Sequence, residues 1–203
     1  IIKALKDCGY RVSCKLLDAK WLGVPQSRSR TIFMGVREDL EENPFYPSPF
    51  PFQYTMEDAI PWITRTEPDD EVDDLLVWKH DMVPDDHRKD FSIVGMAIET
   101  EWKKLRLGDS SEKYFNLVRP NPNKPIPTVT ASGGSNSIAS VVHPFAPRKF
   151  TMLEMKRLCG FPDDFVLTGR YQKQWERLGR SVPPVMMSHI ANSAASILKK
   201  SEV

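Results

Sequence analysis

Arg28 and Arg30 stand two residues apart at the mouth of an apolar run, Thr31 to Val36. In extended backbone, residues i and i+2 project to one side. Two guanidiniums on one side make a clamp for a phosphate, or for an oxyanion that develops during a reaction. Gln26 lies just upstream, in Gly23-Val24-Pro25-Gln26-Ser27-Arg28-Ser29-Arg30, and adds an amide that both donates and accepts. Spacing alone leaves open a second reading, in which both arginines simply face solvent. A second constellation is Pro127-Thr128-Val129-Thr130-Ala131-Ser132-Gly133-Gly134-Ser135-Asn136. Its small polar residues and glycine pair let a backbone approach a ligand closely. A phosphate-cradling loop and an ordinary flexible hairpin both fit it.

Two further motifs follow. In Arg148-Lys149-Phe150-Thr151-Met152-Leu153-Glu154-Met155-Lys156-Arg157-Leu158-Cys159-Gly160-Phe161-Pro162, the Thr151/Glu154 spacing is a capping box, and Gly160 closes the helix it opens. Its work is structural. Leu178-Gly179-Arg180-Ser181-Val182-Pro183-Pro184 is expected to be a tight turn feeding a final helix over 184–199, with the prolines in its first turn. Such a helix start, preceded by Gly and Ser, suits an anionic group, although as a single signal it is weak.

The elements that must position these residues follow from pattern. Residues 1–8 predict a helix stopped by Gly9, and Tyr10–Leu17 alternates as a strand, with Val12, Cys14 and Leu16 against Arg11, Ser13 and Lys15. Ala19–Pro25 predicts a turn, and Thr31–Val36 a buried strand. Four prolines (Pro44, Pro47, Pro49, Pro51) mark a boundary. Thr55 to Ile60 predicts a short capped helix, and residues 110–147 short strands joined by elaborate loops.

The 203 residues carry a net charge of +1, which by itself argues against a nucleic-acid partner. That average hides segregation: residues 66–101 hold 12 acidic and 3 basic side chains, and the remainder 25 basic and 15 acidic. The basic remainder is suited to phosphate. The longest apolar runs are only a handful of residues, so no membrane span is expected. Cys8, Cys14 and Cys159 show no framework spacing, which predicts buried thiols in a reducing, cytoplasmic compartment. His80-Asp81 and Asp85-Asp86-His87 could bind a divalent metal, but nothing fixes their geometry, and a solvated acidic loop is the expectation; no metal is predicted.

Taken in order, the four motifs resemble the C-terminal part of the DNA cytosine-5 methyltransferase family. Gln26-Ser27-Arg28-Ser29-Arg30 is similar to its Gln-x-Arg-x-Arg motif. Arg148, Thr151, Glu154, Arg157 and Gly160-Phe161-Pro162 match the next, and Gly179 with Ser181-Val182-Pro183-Pro184 the last. The resemblance spans nearly the whole chain. It implies an α/β fold, the C-terminal part of a Rossmann-like methyltransferase sheet, with a smaller, mostly β target-recognition domain. Residues 1–40 would end the catalytic domain, 41–147 form the recognition domain, and 148–203 carry motif helices back to the catalytic domain.

The resemblance also implies roles. Arg28 and Arg30 would be catalytic, Arg30 near the O2 edge of a flipped cytosine and Arg28 near it and the flanking phosphates. Gln26, Thr128, Val129, Gly133 and Gly134 would face double-stranded DNA. Ser181 and Val182 would border S-adenosyl-L-methionine, whose site would lie mostly outside this chain. The sequence departs from the family pattern at Arg177 and Arg180, where Gln and Asn are usual, and at Cys159, where Gln is common. No cysteine follows a proline, and neither the Glu-Asn-Val motif nor the Gly-rich cofactor loop is present. The expectation is a C-terminal segment or subunit that is inactive until an N-terminal part joins it in cis or in trans. The alternative is a catalytically incomplete DNA-binding module.

Overall fold

Gly9, at φ +81°, turns the chain from helix α1 (Ile2–Asp7) into strand β1 (Tyr10–Asp18), as the sequence pattern requires. β1 pairs antiparallel with β2 (Ser29–Arg37), Tyr10 opposite Arg37 and Asp18 opposite Ser29. The computed structural model describes residues 1–63, 91–135 and 138–200, so the His80 to His87 cluster and most of the acidic block lie outside the described residues. Within them the elements continue with α2 (Met56–Ala59), α3 (Ala97–Trp102), a 3₁₀ turn at Ala131–Gly134, α4 (Met152–Leu158), α5 (Tyr171–Arg180) and α6 (Pro184–Lys200). No described helix is long and apolar enough to cross a membrane.

The β1–β2 ribbon has two unlike faces. Leu17, Met34 and Val36 are buried in one cluster with Met186, Ile190 and Ile197 of α6. The opposite face carries Cys14, Leu16 and Phe33; Leu16 is 67% and Phe33 41% exposed. The predicted alternation is present, but its Cys14/Leu16 side is the uncovered one. Apolar residues on both faces are the pattern of a strand suited to cover on both sides.

A second core joins α2, α4 and α5 through Met56, Ile60, Phe150, Met155, Leu158, Tyr171, Trp175 and Leu178, together with Val118, Ile126, Val129 and Val141 from the loops between them. A third gathers Ile93, Ile98 and Trp102 around Leu117 and Val142. α4 and α5 thus pack with the middle of the chain, whereas α6 packs with the β1–β2 ribbon.

The structure differs from expectation in four places. Cys8 and Cys14, expected buried, are exposed, because Cys8 follows a helix that buries no residue and Cys14 lies on the uncovered face of the ribbon. The Thr31–Val36 strand, expected buried, is covered on one face alone, with Thr31, Phe33 and Gly35 exposed. Residues 110–147 do not form a mostly β unit among the described residues: pairing is limited to isolated bridges such as Ser110–Val118 and Val118–Val141. Pro120, Pro122, Pro125 and Pro127 explain this, because each removes a ladder donor. Leu178-Gly179-Arg180 is not a turn but the last part of α5. Tyr171, Trp175 and Leu178, spaced i, i+4 and i+7, carry its buried face and are the signal that could have found it. The capping boxes at Thr55/Asp58 and Thr151/Glu154 form as their spacing predicts.

Candidate functional site

Asp18, the last residue of β1, organises the Gln26–Arg30 segment. Its carboxylate accepts from the backbone N–H of Lys20 at 3.2 Å and of Arg28 at 2.9 Å, and from the hydroxyls of Ser27 and Ser29 at 3.3 and 3.4 Å. Sequence reasoning passed over Asp18; an aspartate opening a turn eleven residues before a serine of the motif was the available signal.

With its backbone held, the segment sends Gln26 and Arg28 inward. Gln26 is fully buried, and its Nε2 donates to the Leu158 carbonyl and to Cys159 Sγ, both at 3.3 Å. This ties the segment to the end of α4. Burial pushes the Cys159 thiol up to about 11, against the opposing pull of the Gln26 hydrogen bond, so it stays protonated and unreactive. Arg28 is 2% exposed and donates to the Val129 carbonyl at 3.0 Å and the Gly179 carbonyl at 2.6 Å. One guanidinium therefore joins three segments distant in sequence. Burial, and then the charge of Arg30, lowers its pKa. Arg30 differs: it stays partly exposed, and its side chain donates to its neighbour's carbonyl, Ser29 O, at 2.7 Å.

The glycine-rich segment is docked rather than loose. Thr128 is exposed, and its hydroxyl donates to the Ser27 carbonyl at 2.5 Å. Val129 is buried, and Trp175 Nε1 donates to the Thr130 carbonyl at 2.9 Å. Gly133 and Gly134 lie against Trp175 so closely that an added Cβ would stand 2.8 and 2.7 Å from its side chain. Gln26, Val129, Gly133 and Gly134, expected at a DNA-facing surface, are thus interior in this structure, because α4 and α5 pack over them. Thr128 and Arg30 remain accessible.

The Arg148 motif braces this core. Arg148 makes a two-pronged ion pair with Glu154, both contacts 2.8 Å, while Glu154 also accepts from the Thr151 N–H. Burial opposes ionisation of Glu154, but the charge and hydrogen bonds of Arg148 outweigh it and hold the carboxyl at about 2. His143 nearby is pushed down to about 3, first by burial and then by Arg148; its Nδ1 accepts from the N–H groups of Phe145 and Ala146. Ser181 caps α5, its hydroxyl donating to the Leu178 carbonyl at 2.7 Å, and Val182 is 36% exposed in the link to α6. A cavity of about 620 Å³ is lined by Gly23, Pro25, Arg157, Phe161, Pro184 and Val185, at three of the four motifs. Among the described residues, no group of three or more His, Cys, Asp or Glu is placed to hold a metal.

An α/β arrangement in which four separated motifs lock together through Gln26 and Arg28 defines a class of chain built around a shared site. The model of the C-5 cytosine-specific DNA methylase family matches residues 1–196, and the chain belongs to that family. It is similar to the type II methyltransferase M.DdeI of Desulfomicrobium norvegicum, 30% identical over 235 residues that cover 94% of this chain and 56% of the relative. It is also similar to M1.HphI of Haemophilus parahaemolyticus, 30% identical over 196 residues that cover 95% and 50%. The chain spans about half the length of these relatives. Among solved structures, a DNA modification methyltransferase encoded within an E. coli prophage superposes with a TM-score of 0.66 at 19% identity, covering 97% of this chain and 64% of that one. The S. pombe Dnmt2 methyltransferase gives 0.58 at 16%, covering 97% and 61%. Both share the fold.

Proposed function

We propose that this chain supplies the target-recognition and cytosine-positioning part of a DNA cytosine-5 methyltransferase. The observation that carries this reading is the Arg28 clamp. It fastens the Gln-x-Arg-x-Arg segment to Val129 of the glycine-rich segment and Gly179 of the last motif, while Arg30 keeps its guanidinium partly exposed. A base must leave the stack before chemistry can reach its ring. Arg30 is then the group that meets the O2 edge of the extruded cytosine and stabilises charge growing on the ring during attack. Thr128 and the exposed Ser132 face the duplex, with the glycine pair packed behind them on Trp175, and Arg28 acts from behind as the strut that sets where Arg30 points.

S-adenosyl-L-methionine supplies the methyl group when bound. Val182 fits a bordering role, since it is an apolar side chain left 36% exposed, and Ser181, whose hydroxyl already caps α5, positions it. The nucleophile and its acidic partner come from a further segment in cis or in trans, since no cysteine here follows a proline.

The test is transfer of a radiolabelled methyl group from S-adenosyl-L-methionine to duplex DNA. The chain alone is expected to give no turnover, and the chain with a segment carrying the Pro-Cys and Glu-Asn-Val motifs to give methylated DNA. Turnover by the chain alone overturns the assignment. DNA binding without restored transfer favours the second reading, a binding module.

A further inference from the structure

Lys149 is fully buried between the glycine-rich turn and α5, and the function proposed above makes no use of it. Its ammonium donates to the carbonyls of Gly133 and Ser135 and, at 3.0 Å, to that of Ile138. It also stands 5.7 Å from the centre of the Trp175 ring. Its own backbone is fixed by an N–H donated to the Phe91 carbonyl at 2.7 Å. Among the described residues no carboxylate lies within ion-pairing distance, so the cation serves backbone oxygens alone. A charge is costly to bury without a partner, and three converging carbonyls are the compensation here.

We infer that Lys149 is a positioning residue that fixes the shape of the 131–135 turn, and through that shape the selectivity of the turn for its DNA target. The second half of this inference rests on the function proposed above; the first half does not. The turn supplies few side chains able to hold it: its residues are Ala131, Ser132, two glycines and Ser135. Its conformation is instead imposed through backbone carbonyls. Trp175 takes that of Thr130, and Lys149 takes those of Gly133, Ser135 and Ile138. Gly133 and Gly134 let the turn pack onto Trp175, and the Lys149 contacts hold it in one conformation with Ser132 exposed.

Burial draws Lys149 down from 10.5 to about 7. The three carbonyls that accept from the ammonium favour its charged form and work against that shift. The described residues of the turn bring no ionisable side chain, α5 offers the Trp175 ring, and the adjacent Arg148 is already paired with Glu154.

The experiment is amide hydrogen exchange over 131–135 in the 203-residue chain, joined to selection of duplexes from a random pool. Lys149→Met is expected to lower protection there about tenfold or more, because three buried carbonyls lose their donor. It is also expected to reduce the preference for the duplex selected by the wild-type chain over a scrambled one about tenfold, leaving affinity for scrambled DNA unchanged. Unchanged protection, or lost protection with selectivity intact, overturns the inference. Should Lys149→Met not fold, Lys149→Gln, which keeps two N–H donors, is measured in its place: protection is expected to fall, by less than for the loss of all three donors, and unchanged protection overturns the assignment. If the wild-type chain selects no duplex, the functional reading fails, while exchange still reports on the turn.

Discussion

Arg28 and Arg30 share a motif but not a task, and their substitutions should separate the two. Removing the Arg28 guanidinium strips the donor from two carbonyls in the interior at once. Arg28→Ala is expected to cost about 2–4 kcal/mol, measured by urea denaturation, and Arg28→Met, which refills the volume, to cost less. Arg30→Ala should shift stability by less than about 0.5 kcal/mol, yet in an assembled enzyme lower the methylation rate more than DNA affinity. Equal losses in rate and affinity would make Arg30 a phosphate anchor only. Acid stability is set by another pair. Glu154 is held at about 2 against an ordinary 4.5, so its stabilisation is full above 4.5 and drains away as pH falls toward 2. His143 is kept neutral down to about 3 against an ordinary 6.5, so the unfolded chain takes up a proton first and stability falls from 6.5 downward. The unfolding free energy should therefore decline from pH 6.5 to 4.5 through His143, and more steeply below. His143→Asn, which keeps an acceptor without a titrating ring, should flatten the upper window.

Helix α5 is held to the glycine-rich turn by close backbone approach, and this defines a test at the level of the element. A Cβ at Gly179 would lie 2.7 Å from the backbone of Ala131, where no flexible atom can yield. Gly179→Ala should therefore cost about 1–3 kcal/mol through overpacking and loosen exchange at Thr130–Gly134. Thr151→Ala should cost about 1 kcal/mol through loss of the α4 cap. These elements also show what a sequence yields. The two strands, the two capping boxes and α6 were legible because each is set by neighbours within a few residues: Gly9 before β1, Thr151 with Glu154, Pro184 at a helix start; the antiparallel pairing of the strands was not. α5 was missed because Gly179 and Arg180 lie within a motif shaped like a turn, which masked the spacing of Tyr171, Trp175 and Leu178. The clamp itself could not be read at all. Arg28 meets partners about a hundred and a hundred and fifty positions away, and i, i+2 spacing says which side a side chain leaves from, not what it reaches. Lys149 was hidden for the same reason: its partners are carbonyls, which every residue has.

At the scale of the molecule, the uncovered side of the β1–β2 ribbon, with Leu16 and Phe33 exposed, bears on behaviour in solution. A two-stranded sheet is marginal by itself, and exposed edges with apolar side chains invite association. The pair Leu16→Lys and Phe33→Lys should leave the α6-packed face intact and reduce self-association, measured by light scattering after size exclusion. If a further segment completes the enzyme over this face, the same pair should abolish restoration of methyl transfer; unaffected restoration would place that segment elsewhere. The charge pattern acts at this scale too. A net +1 masks a basic surplus outside residues 66–101, so duplex affinity should fall linearly with salt on a logarithmic scale.

Cys14 sits opposite Phe33 in the ladder, exposed on that same side. In a Cys8→Ser background, with Cys159 buried, it becomes the single thiol that a bulky alkylating reagent can reach. The molecule thus carries its own reporter: the rate at which Cys14 is labelled counts how often this side stands open, and any protein that seats there writes its dissociation constant into the labelling curve.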